Sequence, residues 1–270
     1  MVDSVYESKH SWQDLVSLIA RLRSESGCPW DREQTHLSIR QNLLEEAYEV
    51  CGAIDDGDAT ALSEELGDLL LQVVFHAQMA KESGDFDIDD VIDGLCRKLI
   101  QRHPHVFAGA GVESSSEVLV RWEEIKQDTK GQKTQHQAML GVARSLPALM
   151  RAWKIQQKAK KSGFDWQDVS GAWAKVAEET DELRNAVSHG GDTAGELGDL
   201  LFSVVNVSRF LGQDPEAALE KSCDKFVSRF GRMELDARAE GLSLSDMSLQ
   251  QMDVLWDRAK QTNEPDGDHP

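Results

Sequence analysis

Glu65-Leu-Gly-Asp-Leu-Leu-Leu-Gln-Val-Val-Phe75 is answered later in the chain by Glu196-Leu-Gly-Asp-Leu-Leu-Phe-Ser-Val-Val-Asn206. In the first stretch every residue but Glu65, Gly67, Asp68 and Gln72 is a large apolar one. The polar side chains fall at i, i+3 and i+7, one narrow stripe of a helix and not the alternation of a strand. The second stretch carries the stripe one step further, through Glu196, Asp199, Ser203 and Asn206. Such helices are expected to be mostly buried, with the acidic stripe facing a bundle interior or a cleft. Charge placed there must be paired or bind metal. Gly67 and Gly198 each cost about 1 kcal/mol against Ala inside a helix. They are expected to leave space for close helix approach or for a ligand.

The flanking blocks recur in the same order. Leu44-Glu-Glu-Ala-Tyr-Glu49 precedes the first stretch and Ala177-Glu-Glu-Thr-Asp-Glu182 the second. Lys98-Leu-Ile-Gln-Arg102 and Lys225-Phe-Val-Ser-Arg229 follow, then Trp122-Glu-Glu-Ile-Lys126 and Trp256-Asp-Arg-Ala-Lys260. Four ordered blocks occurring twice mean a duplicated domain. The expected division is a helical domain over 1–128, a polar linker over 129–137, a second helical domain over 138–264 and a disordered tail over 265–270. Apolar residues recur at three- and four-residue spacing, as in Leu15, Leu18, Ile19 and Leu22, and strand patterns are absent. The fold class is therefore all-α: two tandem bundles of four or five helices each.

The repeated acids look like a site. Residues three or four apart share a helix face, so Glu45, Glu46 and Glu49 cluster, as do Glu65 and Asp68. Glu178, Glu179 and Glu182, then Glu196 and Asp199, repeat the pattern. Like charges so spaced destabilise a helix by a few tenths of a kcal/mol each. A solvated acidic face would explain one cluster. The apolar setting of the second helix favours a bound cation. Carboxylates without histidine make a hard oxygen site suited to Mg²⁺ or Mn²⁺. The Glu-x-x-His pairs of di-iron bundles are missing, because the fourth positions are Glu49, Asp68, Glu182 and Asp199. Lys98 with Arg102, and Lys225 with Arg229, project together from a helix and suit phosphate oxygens. Trp122 and Trp256 could stack on a nucleobase or could sit in a core. His76, His103 and His105 have no counterparts in the second copy and read as incidental.

Composition narrows the classes. A net charge of −19 opposes nucleic-acid binding through a basic face, whereas a small anion bridged by metal remains compatible. There is no P-loop and no nucleophile elbow. The four cysteines are far apart and no apolar run is long enough for a membrane span, so the expectation is a cytoplasmic protein without a signal peptide.

With EExxE, ExxD in ELGDLL, KxxxR and a late Trp all present twice, the chain resembles the MazG family of nucleoside triphosphate pyrophosphohydrolases in its tandem form. Cys28-Pro-Trp-Asp31 and Gly163-Phe-Asp-Trp166 also look like that family's domain starts. The resemblance implies an all-α homodimer that hydrolyses nucleoside triphosphates to monophosphate and pyrophosphate with Mg²⁺, broadly over the bases. It implies metal ligands at Glu179, Glu182, Glu196 and Asp199, and at Glu46, Glu49, Glu65 and Asp68 in the first copy. It places substrate contacts at Lys175, Lys225, Arg229 and Trp256, with Lys98, Arg102 and Trp122 in the first copy. The C-terminal copy is the better attested catalyst in tandem members. Glu178, the spare acid of its motif, is the candidate general base. The loop Asp192-Thr-Ala-Gly195 is short and poor in Lys, a departure from some members. Two rival readings stand beside this one. The first is a nucleotide sensor without turnover. The second is a narrower hydrolase of the same fold, acting on one (d)NTP or an alarmone.

Overall fold

The computed structural model describes residues 9–109 and 134–262, with 114, 117, 118, 121, 122 and 125 between them. Helix is the only extended regular structure among the described residues. The chain divides into two compact units, Met1–Lys126 and Gln127–Pro270.

The first unit contains α1 (Trp12–Leu22), α2 (Pro29–Glu33), α3 (Arg40–Asp56), α4 (Ala59–Ser83), α5 (Ile88–Arg102) and α6 (Pro104–Phe107). Helices α3 and α4 pair along their length, and α1 packs on α4. Their joint is two residues long. Gly57 ends α3 in the left-handed region at φ 68°, and Asp58 starts α4 by accepting from the N–H groups of Thr60 and Ala61. The core is Ile19, Ile39, Val74, Phe75 and Met79, with Trp12, Leu15, Val16 and Leu71 against it.

The second unit contains α7 (Gln135–Leu140), α8 (Ala148–Lys161), α9 (Val169–His189), α10 (Thr193–Leu211), α11 (Pro215–Ala239) and α12 (Leu249–Thr262). Helices α9 and α10 repeat the α3–α4 pair. Their corner uses the same device: Gly190 at φ 76°, then Asp192 capping the N–H of Gly195. Helix α8 packs on α10 and α11, and α12 folds back on α11. Met233, Ala237 and Leu255 form a buried cluster there, with Leu244, Met247, Met252 and Trp256 packed on it.

Three expectations meet the structure differently. Residues 135–137, read as linker, begin α7, because Thr134 and Gln137 form a reciprocal capping box. Residues 129–133 and the tail 265–270 lie outside the described residues. The ELGDLL helices are buried only toward their C-terminal ends. Leu66, Leu70, Leu197 and Leu201 stay exposed, since no described residue of their own unit covers that side. At Gly67 and Gly198 a Cβ would meet nothing within 4 Å, so the glycines do not serve close helix approach within a unit.

Candidate functional site: a carboxylate cluster beside a cavity

Helices α9 and α10 bring the second-copy acids together. Glu178, Glu179 and Glu182 can each offer an oxygen within 4.8 Å of the others, and so can Glu179, Glu196 and Asp199. Glu179 belongs to both groups and is only 4% exposed. Lys175, one turn earlier on α9, pairs with one oxygen of Glu179 and reaches Glu178 at 2.9 Å. These bonds hold the Lys175 ammonium above its ordinary pKa. The other oxygen of Glu179, Oε2, is buried with no partner. Burial, then the nearby charges of Glu179 and Glu196, raises the pKa of Glu182.

The first copy assembles Glu46, Glu49 and Glu65 in the same way. Burial, then Asp68 and Glu49, pushes Glu46 upward, and Glu65 is raised by burial with Glu49, Glu64 and Asp68. Asn42 stands one turn before Glu46, where the second copy has Lys175. No lysine therefore serves that cluster from the same position.

The donor set is all carboxylate, and a buried orphan oxygen is left over, as a hard divalent cation requires. Raised acids bind protons in the folded state that the unfolded chain has already lost. Without metal, stability therefore falls as pH climbs from about 4.3 through the raised values. A cation should reverse this. We expect Mg²⁺ to raise the melting temperature at pH 7.5, by the equivalent of about 2.7 kcal/mol at one hundred times Kd. The gain should shrink as pH is lowered toward 4, where protons compete with the cation for the raised acids Glu46, Glu65 and Glu182. Equal melting curves in EDTA and saturating Mg²⁺ at pH 7.5 would count against a cation site.

A cavity of about 510 Å³ opens beside the second cluster. Lys175, Glu179 and Asp199 line it, and so do Gln156, Asn206 and Arg209. Asp199, Ser203, Asn206 and Arg209 lie on one stripe of α10, which carries the cavity about 15 Å along the helix at 1.5 Å per residue. Its wall is built on a buried ion pair. Arg209 donates to Asp165 Oδ2 at 2.9 Å and binds Asp165 Oδ1 as well. Its Nε and Nη2 donate to Asn206 Oδ1 at 2.9 and 2.7 Å. Burial works to raise the Asp165 carboxyl, but the bonds and charge of Arg209 outweigh it and hold the group below its ordinary value. Counting along α4 from Asp68, the counterpart of Asn206 is Phe75, which is buried in the first-unit core under Arg23. Apolar packing thus stands where the second copy has a polar cavity wall.

The basic pairs and late tryptophans are placed elsewhere. Lys225 and Arg229 stand on α11 and are not part of the cavity lining. Phe226, between them, meets the Trp256 ring at 5.0 Å, and Trp256 packs on the α11–α12 cluster. In the first copy the Arg102 guanidinium lies over Trp122, 5.0 Å from the ring centre, and Lys98 is exposed on α5. In both copies the late Trp meets a residue of the basic helix. The imidazoles of His36 and His76 stack at 5.0 Å, outside the carboxylate groups.

Among the cavity residues that escaped sequence reasoning are Gln156, Asp165, Trp166 and Arg209. The signals were available. Asp165 lies in the Gly163–Trp166 block, and Arg209 is the next step of the stripe through Asp199, Ser203 and Asn206.

A family model for the "MazG nucleotide pyrophosphohydrolase domain" matches the chain twice, over residues 34–107 and 158–232. The chain is 48% identical over 251 residues to the nucleoside triphosphate pyrophosphohydrolase of Escherichia coli (strain K12), covering 91% of this chain and 95% of that protein. A Thermotoga maritima protein named nucleoside triphosphate pyrophosphohydrolase/pyrophosphatase is 47% identical over 250 residues, covering 92% and 95%. An uncharacterised Bacillus subtilis protein is 48% identical over 257 residues, covering 94% of this chain and 52% of its own length.

Proposed function

We infer the function from one premise: the chain belongs to the MazG nucleotide pyrophosphohydrolase family. It is a hydrolase of nucleoside triphosphates that uses divalent metal. The finer reading is that it cleaves the α–β phosphoanhydride, with one water consumed and monophosphate and pyrophosphate released. The observation that carries it is the cavity running from the Glu179–Asp199 cluster along α10.

In this reading Glu179, Glu182, Glu196 and Asp199 hold Mg²⁺ or Mn²⁺. The ion, when bound, neutralises triphosphate oxygens and acidifies water. Lys175 stands at the cavity wall and turns from Glu179 to a phosphate oxygen. Glu178 accepts the proton of the attacking water. Lys225 and Arg229, cations one turn apart on α11 outside the cavity lining, are proposed to meet the pyrophosphate as it leaves. Broad base acceptance fits the mixed polar and aromatic wall. Trp256 acts from the α11–α12 cluster, so its contribution is to position Lys225 and Arg229 through Phe226.

The first unit is assigned a metal-holding role without turnover. Asn42 replaces the lysine and Phe75 fills the cavity position there. Glu46, Glu49, Glu65 and Asp68 would keep the ion, with Lys98, Arg102 and Trp122 as the matching but unused phosphate and base groups. Homodimerisation is proposed from the uncovered apolar faces. Val91, Ile92, Leu95 and Leu99 are exposed on α5 of the first unit, and Leu197 and Leu201 are exposed on α10 of the second. No described helix is long and apolar enough to cross a membrane. A cytoplasmic location is proposed from the unpaired cysteines.

The test is a panel of ribo- and deoxyribonucleoside triphosphates, each with and without Mg²⁺. Monophosphate plus pyrophosphate is expected, in the presence of metal only. Release of orthophosphate would overturn the α–β assignment. Binding without turnover of any triphosphate would leave the sensor reading.

A further inference from the structure

The first unit carries a pair of imidazoles that the carboxylate chemistry does not use. His36 is exposed in the turn between α2 and α3, and His76 is half-buried on α4. Their Nδ1 atoms face each other at 2.7 Å, with the ring planes within 5° of parallel. At that distance one Nδ1 must carry a proton and the other must not. The pair keeps this bond while at most one ring is charged. Charging both rings sets two N–H groups against each other. His76 resists its charge for a second reason. Its Nε2 is buried with no partner, so the imidazolium would hold an N–H without an acceptor.

Both rings are fixed to this meeting. The backbone N–H of Thr35 donates to Ser38 Oγ at 2.9 Å, and that of Ser38 donates back to Thr35 Oγ1 at 3.1 Å. Ser38 Oγ donates to Gln34 Oε1 at 2.8 Å. Arg23, at the end of α1, donates to the Gln34 carbonyl at 3.2 Å and to Glu82 on α4 at 2.8 Å. The turn is thus tied to α4 twice, through Arg23 at its start and through the imidazoles near its middle. It leads directly into α3, whose Ile39 N-cap is part of the core.

The charges around the pair are otherwise committed. Arg23 lies over the Phe75 ring and holds Glu82. Lys81 on α4 pairs with Asp87 at the start of α5, and Glu46 on α3 is met by Gln72, one turn before His76. In the α2 segment Arg32 donates to the carbonyl of Glu25, and Arg40 is exposed at the start of α3. Burial, then the charge of His36, lowers the pKa of His76. A histidine lowered in this way stabilises the fold above about pH 6.5, and the contribution fades as pH falls through the lowered value. The second unit has no such pair. Counting from the matching acids, Val169 and the buried Val207 stand in these positions.

We propose that His36 and His76 form a proton-operated latch between the α2–α3 turn and α4, closed while one proton lies between the facing nitrogens and opened when both rings are charged. The latch makes the entry to α3 of the first unit sensitive to mild acid and leaves the second unit indifferent.

The experiment is hydrogen exchange of the full chain in EDTA at pH 7.5 and at about pH 5, with each amide corrected for its intrinsic rate. Protection over residues 35–43 should fall about tenfold in acid, the worth of one hydrogen bond. Residues 168–176 of the second unit should change less than about twofold. In His36→Phe with His76→Phe, which keeps two rings and removes the titrating nitrogens, residues 35–43 should also change less than about twofold. Undiminished wild-type protection in acid, or an equal fall in the Phe pair, overturns the latch. If the Phe pair fails to fold, ¹⁵N spectra of the wild-type histidines decide. A nitrogen–nitrogen coupling across the shared proton is expected at pH 7.5 and lost in acid, and its absence at pH 7.5 overturns the proposal.

Discussion

Glu179→Gln is expected to lower kcat/KM for a nucleoside triphosphate by about 10²–10³-fold, while the variant stays folded. A carboxylate holding a catalytic metal supports several kcal/mol of charge stabilisation in the transition state, and each 1.36 kcal/mol is tenfold in rate. Glu179 is the acid through which both second-copy groupings pass, and it is almost fully buried. Its amide would keep the shape and one acceptor but lose the charge that binds both Lys175 and a cation. The loss should appear with a raised Mg²⁺ requirement, because metal affinity and turnover fall together. Glu46→Gln, the matching change in the first copy, is expected to leave kcat/KM within about threefold, on the proposal that a unit with Asn42 and Phe75 at those positions holds metal without turnover. Full activity in Glu179→Gln, or equal losses in both variants, would refute the assignment of catalysis to the second unit.

Asp165→Ala should be the most destabilising single change around the cavity. Removing one partner of a buried ion pair leaves the other charge unpaired, at a cost of about 3–5 kcal/mol. The side chains of Arg209 and Asp165 are 5% and 15% exposed, and Arg209 also anchors Asn206. For a unit of this size each kcal/mol lowers the melting temperature by roughly 2–4 °C, so a fall of about 10 °C is expected. Replacing both partners, as in Asp165→Leu with Arg209→Met, should restore most of it, because an apolar pair of similar size is close to neutral. Stability should also respond to acid. Asp165 and Glu82 are held below their ordinary pKa values, Glu82 chiefly by the hydrogen bonds of Arg23. Their contribution is complete above about pH 4.3 and is lost as pH drops toward the lowered values. Calorimetry on the single and double variants would expose an error here, most plainly if Asp165→Ala melted like wild type.

Much of this molecule was legible before any coordinates. Helical class follows from the spacing of Leu66, Leu69, Leu70 and Val73 around Glu65 and Asp68. The acids of EExxE must share a face at three- and four-residue spacing. Gly57-Asp58 and Gly190–Asp192 mark corners because a left-handed residue and a carboxylate cap are local requirements. Duplication of ordered blocks required two copies of whatever one copy is.

What the sequence could not tell is what packing makes of the differences between the two copies. Lys225-Phe-Val-Ser-Arg229 and Trp256 looked like part of one site with Glu179. Only the packing of α12 on α11 shows that Trp256 lies on the Met233–Leu255 cluster. Asp165 and Arg209 are far apart in the chain, and each alone reads as a surface charge until α10 meets the loop after α8.

The sequence by itself therefore determined the helices, their duplication and the carboxylate faces, because these arise within one or two turns of backbone, where spacing is geometry. The tertiary structure alone decided that the second copy has a cavity and that Phe75 fills the matching position in the first. A cavity is a volume left between side chains from distant segments, and one residue, Asn206 or Phe75, settles whether that volume is polar wall or apolar core.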